Sequence, residues 1–277
     1  MLLIADSGST KCDWYLETEG GVYTHTIGFN PMFHDSTFIE EVLQANVLLS
    51  KSRLEVSKIY FYGASCSSPD RIETITKALS NFFPKAEVHV GHDLLGSALS
   101  TCGNNAGISC ILGTGSNACY YDGQTVHRAK PALGFILGDE GSGSYFGKIL
   151  LREYLYQNLP EEIQNDFSEQ YHLDKDQIFK RVYQTEGANR FLASFMPFVD
   201  KHRQHSYMQN LLYDGLLLFV RIHISPYPEF RKVPVHFVGS VAYYFSDVLE
   251  KISKDLGFTL GKIVQRPIDG LRDYHLS

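Results

Sequence analysis

Short runs of apolar and β-prone residues at 2–5, 12–17 and 22–27, the last two separated by Glu19-Gly20-Gly21, predict that the chain opens as an antiparallel meander of three strands. Helical spacing then covers about 35–50, 69–81 and 93–101, and strand runs at 58–62 and 87–90 fall between these segments. Pro69 suits the first turn of its helix. The β-α-β-α order predicts parallel strands added to the meander. A second meander follows over 108–112, 118–121 and 125–128, turning at Asp122-Gly123. Beyond it the pattern is mainly helical. One helix runs from Gly138 to about 155, and the polar stretch 160–189 holds short helical patterns. A long amphipathic helix over 207–224 is stopped by Pro226 and Pro228. Strands at 233–238 and 258–264 flank a turn at Gly239-Ser240 and a helix over 241–256, and a short helix over 267–274 closes the chain.

The two meanders are alike. Sliding the chain on itself by 107 residues superposes 4–14 on 111–121, and both copies read strand, Gly/Ser turn, strand. The repeat predicts two related domains, 1–104 and 105–277, the second carrying a helical insertion, with the final short helix able to pack back on the first domain. A chance likeness between two β-hairpins is the competing reading.

Composition narrows the function. The chain has 277 residues, 44% hydrophobic and 20% charged, which is the composition of a globular protein of one large domain or two. Its longest apolar run, 216–220, is far short of the roughly 18 residues that a membrane span needs. The opening residues lack a basic segment and turn polar at Asp6, so they read as a first strand rather than a signal peptide, and a cytoplasmic location is expected. A net charge of −6 without a basic run argues against nucleic acid as a partner. Five cysteines, odd in number and without C-x-x-C spacing, argue against a disulfide scaffold or a zinc site.

The candidate chemistry lies in the turns. Asp6-Ser7-Gly8-Ser9-Thr10-Lys11 places a carboxylate at a strand end and small residues after it, so backbone N–H groups and hydroxyls could approach phosphate oxygens while Asp6 holds Mg²⁺. An ordinary hairpin turn with a capping Asp is the bland alternative. Gly113-Thr114-Gly115-Ser116-Asn117 is the partner turn, without a carboxylate at the position of Asp6. Neither turn follows the P-loop pattern or the dinucleotide fingerprint.

The blocks at 6–11, 30, 93–97, 113–117, 138–142 and 238–240 resemble the N-acetylglucosamine kinase and BadF-type ATPase family of the actin-like ATPase superfamily. The resemblance implies an α/β protein of two actin-like, ribonuclease H-like domains, each a mixed sheet with flanking helices, closing over ATP, Mg²⁺ and a sugar. On it, Asp6 holds the metal, and Ser7, Gly8, Ser9, Thr10 and Lys11 form the first phosphate loop. Gly113, Thr114, Gly115 and Ser116 form the second, and Gly239 and Ser240 lie beside the adenosine. Asp93 takes the proton from the attacking sugar hydroxyl, although its place at a helix start also suits an N-cap. Asn30, Asp93, Asn117, Gly134 and Asp139, the last at the head of the long helix, bind the sugar; Asn30 and Asp139 also suit ordinary turns. Leu133 stands where the animal enzyme has a tryptophan, and the C-terminal Gly/Ala-rich block is reduced to 267–271. The activity implied is phosphorylation of an amino sugar, N-acetylglucosamine first. The alternatives are an ATPase activator of acyl-CoA dehydratases with an interfacial iron–sulfur cluster, and a sugar sensor without turnover. A homodimer is left open.

Overall fold

The computed structural model describes every residue of the chain except Ser9. The chain forms two compact units, Met1–Asn104 together with Arg266–Ser277, and Asn105–Gln265. It therefore passes from one unit to the other twice, at 104–105 and at 265–266.

In the first unit, β1 (Leu2–Ser7), β2 (Lys11–Leu16) and β3 (Val22–Ile27) form the predicted meander. β4 (Lys58–Gly63) and β5 (Glu87–His92) continue it in parallel beyond β1, giving the order β3-β2-β1-β4-β5. β1 reads as a nearly unbroken apolar run because both faces of this central strand are covered, whereas the edge strand β3 has no buried residue. Trp14 anchors the core: its ring centroid lies 6.1 Å from those of both Phe29 and Phe61, and its indole N–H donates to Thr26 Oγ1 at 3.0 Å.

The helices are α1 (Ser36–Ala45), α2 (Val47–Ser52), α3 (Pro69–Phe82) and α4 (Asp93–Cys102). The single helix predicted over 35–50 is thus two. Asn46 leaves the helical conformation, accepts from the Leu48 and Leu49 N–H groups as the cap of α2, and donates to Thr24 and His25 on β3. A closing helix, Ile268–Leu276, packs against α4 within this unit.

The second unit repeats the topology. β6 (Gly107–Leu112), β7 (Ser116–Tyr121) and β8 (Val126–His127) form an antiparallel meander, and β9 (Val235–Val238) and β10 (Leu260–Val264) add to β6 in parallel, in the order β10-β9-β6-β7-β8. Strand bounds recur at 105 residues, Leu2 to Gly107 and Lys11 to Ser116, rather than at the 107 that the glycine pattern suggests. The hairpin turns are equal in length, so Gly8 corresponds to Gly113, not Gly115. Each unit is a mixed five-stranded sheet with flanking helices, the α/β class that the resemblance implies.

Of the three long helices predicted in this unit, two are divided and one starts late. The helix predicted from Gly138 begins only at Gly143, as α6 (Gly143–Leu155) capped by Ser142; a short α5 (Gly134–Leu137) lies before the predicted segment, and positive φ at Asp139 and Gly141 breaks the chain between the two. After α7 (Glu161–Tyr171), α8 (Lys175–Tyr183), α9 (Ala188–Ala193) and α10 (Met196–Lys201) comes α11 (Ser206–Phe219), whose last turns widen into a π-helix over Val220–Ile224. Phe245 interrupts the last pair, α12 (Ser240–Tyr244) and α13 (Ser246–Leu256). Phe146, Phe167, Phe195, Phe198, Leu216 and Phe219 are the centre of the helical core.

Gly147 lets α6 and α9 meet, since a Cβ there would run into the Leu192 carbonyl. Gly→Ala within a helix is ordinarily stabilising by roughly 1 kcal/mol. Gly147→Ala is expected to reverse that sign and destabilise by about 1–3 kcal/mol through overpacking. Thermal denaturation checks this; an unchanged or raised Tm would contradict the packing argument.

Candidate functional site

In the first unit the chemistry gathers at the carboxyl ends of the parallel strands, the edge at which open α/β sheets bind ligands. Asp6 lies at the end of β1, opposite Tyr62 of β4 and opposite Asp13 of β2. Asp93 follows β5 directly. Burial, then the Asp13 and Asp93 carboxylates, raise the Asp6 carboxyl from its ordinary value of 3.8 to about 7. The cap expected of Asp93 belongs to its neighbour: His92 Nδ1 accepts from the Leu95 N–H at 3.0 Å, and Asp93 is the first helical residue, its Oδ1 accepting from the Leu94 N–H at 2.8 Å.

The turn after β1 is closed by the Gly8 N–H donating to the Lys11 carbonyl at 2.9 Å. Gly8 and Thr10 are exposed, and Ser9 lies outside the described residues. Ser7 is fully buried and its Oγ accepts from the Phe29 N–H at 2.8 Å, which spends the hydroxyl on holding the next loop. The Gly28 N–H donates to the Thr10 carbonyl at 3.1 Å, so the loop bearing Asn30 is tied to the turn at two points. Asn30 Oδ1 accepts from the Met32 N–H at 3.0 Å, the turn chemistry its sequence suits. Lys11 Nζ pairs with Asp13 Oδ1 at 2.6 Å. Asp13 escaped the sequence reading, although Lys-x-Asp on a strand puts both side chains on one face.

In the second unit, three turns converge. The Gly113 and Thr114 carbonyls accept from the Gly143 and Ser144 N–H groups at 2.8 and 3.1 Å, fastening the 113–115 turn to the start of α6. Asp139 Oδ1 accepts from the Ser116 N–H at 3.3 Å, and a Cβ on Gly115 would come within 2.9 Å of Asp139 Oδ2, so only glycine permits this approach. Asp139 is therefore not at the head of a helix: it occupies the left-handed turn before α6, at φ 56°. Burial raises its carboxyl above the ordinary range, and the Ser116 N–H opposes that. Gly239, at φ 116°, donates its N–H to the Val264 carbonyl at 2.9 Å and lies against the Leu112–Gly113 backbone, with Ser240 exposed beside it. Asn117 Oδ1 accepts from the Ala118 N–H at 3.0 Å, and Gly134 is linked to Gly138, whose N–H donates to its carbonyl at 2.8 Å.

His223 is a further residue the sequence reading missed. It lies on the π-helical segment, and its Nε2 pairs with Glu140 Oε2 at 2.8 Å, bracing the turn that carries Asp139. π-Helical turns often mark functional sites, but a register change of this kind leaves no mark in a hydrophobic pattern.

The two groups fit the ligands that the resemblance implies. Ser116 Oγ is buried and has no hydrogen-bond partner among the described residues, a costly state that an anionic oxygen at the turn would relieve. The crowded carboxylates around Asp6 suit a divalent cation. Among the described residues no cluster of three or more Asp, Glu, His or Cys could by itself hold a metal; Mg²⁺ in phosphoryl-transfer sites is held by one or two carboxylates together with the substrate phosphates. No described helix is long and apolar enough to cross a membrane.

No protein-family model matches the chain, and no curated protein matches it. Among solved structures, a protein of Porphyromonas gingivalis provisionally designated an N-acetylglucosamine kinase is 37% identical over 99% of this chain and 98% of its own, with a TM-score of 0.94. A protein of Chromobacterium violaceum with the same provisional designation is 15% identical, with coverage of 99% and 98% and a TM-score of 0.68. A ROK-family glucokinase of Streptomyces griseus, solved with glucose and AMPPNP, is 12% identical, with coverage of 99% and 97% and a TM-score of 0.54. The last two likenesses concern the fold alone.

The raised pKa of Asp6 has a stability consequence. Folding favours its protonated form, so stability is lost as pH rises from about 4 to about 7, and the loss is complete above that range. Asp6→Asn, neutral at every pH, is expected to raise Tm by roughly 5 °C at pH 8, with the gain shrinking as pH falls toward 4. Thermal melts of both proteins across this range check it; a pH-independent difference would remove the electrostatic account.

Proposed function

The chain belongs to the N-acetylglucosamine kinase and BadF-type ATPase family of the actin-like ATPase superfamily, and from that membership we propose that it is an ATP-dependent sugar kinase acting on an amino sugar, with N-acetylglucosamine the foremost acceptor and its 6-phosphate the product. The observation that carries this reading is the pair of carboxylates at the ends of β1 and β5: Asp6, and Asp93 close enough for its charge to be felt there. Phosphoryl transfer requires one carboxylate for the metal and one for the acceptor hydroxyl, and little else in covalent chemistry.

Asp93 would accept the proton of the attacking hydroxyl. Its hydrogen bond from the Leu94 N–H fixes the carboxylate at the start of α4. Lys11, Thr10 and the backbone of the two glycine turns would hold the phosphates, with Ser9 joining the first turn, Ser116 Oγ supplying a donor and Gly239-Ser240 beside the adenosine. Mg²⁺ at Asp6 would neutralise phosphate charge when bound. Asn30, Asn117, Gly134 and Asp139 would line the sugar. The fixed amides and carboxylate would penalise an acceptor lacking their hydroxyl partners. All five cysteines are buried, whereas an interfacial iron–sulfur cluster needs accessible thiolates, which favours the kinase over the activator.

ATP consumption against N-acetylglucosamine, N-acetylmannosamine, N-acetylmuramic acid, glucosamine and glucose is the direct test. Turnover greatest with N-acetylglucosamine is expected; no turnover with any of them would overturn the proposal. Asp93→Asn should keep ATP binding and lower turnover roughly a hundredfold or more. Equal phosphorylation by variant and wild type would remove the base assignment.

A further inference from the structure

Asp13 is placed where strand chemistry disfavours it. Aspartate is a poor strand former, and Asp13 lies inside β2, 8% exposed, directly opposite Asp6 on β1. Opposed residues of an antiparallel pair project to the same face, and like charges there repel. The structure offsets this with two cations on one oxygen: Lys11 Nζ at 2.6 Å and an Arg266 guanidinium nitrogen at 3.8 Å from Asp13 Oδ1. Both cations are substantially exposed, their side chains at 43% and 51%, while the carboxylate between them is not. Lys11 ends the turn that begins at Gly8, and Arg266 is the residue at which the chain returns to the first unit.

Resting on the kinase reading, we propose that Asp13 is a positioning residue for nucleotide binding: it holds the Lys11 ammonium beside the Gly8–Thr10 turn and shares its charge with Arg266, so that Arg266 governs how readily Lys11 serves a phosphate. A lysine ammonium on a four-carbon stem loses conformational freedom when it binds, and an anchor already present lowers that cost. When a phosphate draws on Lys11, the carboxylate that loses part of its partner keeps Arg266. Arg266 thereby contributes to nucleotide affinity through Asp13. Simple charge bookkeeping predicts the opposite sign, since removal of an acid from a phosphate site should tighten binding.

The test is calorimetric binding of AMPPNP with Mg²⁺ to the full chain, without sugar, for wild type, Asp13→Asn, Lys11→Met, Arg266→Met and the double variants. Asp13→Asn is expected to weaken binding about tenfold, to add little in the Lys11→Met background, and to be partly rescued by Asp13→Glu. Arg266→Met should weaken binding a few-fold, and that loss should vanish once Lys11 is replaced. A merely structural role would lower Tm without this non-additivity. Binding by Asp13→Asn as tight as wild type or tighter, or losses that simply add, overturns the positioning role while leaving the kinase reading intact. Wild-type protein that does not bind the nucleotide overturns both. Should Asp13→Asn not fold, the Lys11–Arg266 cycle leaves Asp13 in place, and additive losses in it overturn the proposal equally.

Discussion

The double pairing of β1 is the constraint on which the first unit's site depends. This strand is bonded antiparallel to β2 on one side and parallel to β4 on the other. The first pairing sets Asp6 against Asp13 and Ser7 against Cys12. The second aligns the end of β1 with the end of β4, which in turn aligns Gly63 with His92 and so fixes where α4 begins. A slip of one residue in either register would send Asp6 to the opposite face of the sheet. The carboxylates meet because the ladder leaves them no other place, and the local price is visible in the Asp6 carboxyl that is reluctant to ionise.

The second unit repeats the ladder and discards the charges. At the strand-defined offset of 105 residues, Asp6 corresponds to Ile111, Lys11 to Ser116 and Asp13 to Ala118. One hairpin is thus built around opposed ions and the other around backbone N–H groups and a buried hydroxyl.

The regular elements were legible because β-period and helix-period patterns are local. Both meanders, the parallel additions, α3 with its leading proline and the Gly/Ser turns follow from neighbouring residues. What escaped depends on partners far along the chain. Asn46 divides a helix because β3 offers its amide Thr24 and His25. Asp139 sits in a left-handed turn because Ser116 and Gly115, on a different strand and turn, receive it. The pairing of Asp13 with Arg266 joins residues 253 positions apart, and nothing in either neighbourhood announces it. The repeat offset misled by two residues because glycines mark a turn's composition, while hydrogen-bond register marks its place.

The twofold passage of the chain between units bears on biosynthesis. The first unit's five strands are all made by residue 92, yet its closing helix starts only at Ile268, after the whole of the second unit. At roughly 5–20 residues per second, the surface of α4 that this helix covers is naked on the ribosome for about 10 to 35 s. During that interval the nascent protein presents an unsealed flank to whatever binds exposed apolar surface. The codons for Arg266–Ser277 decide when that vulnerability ends.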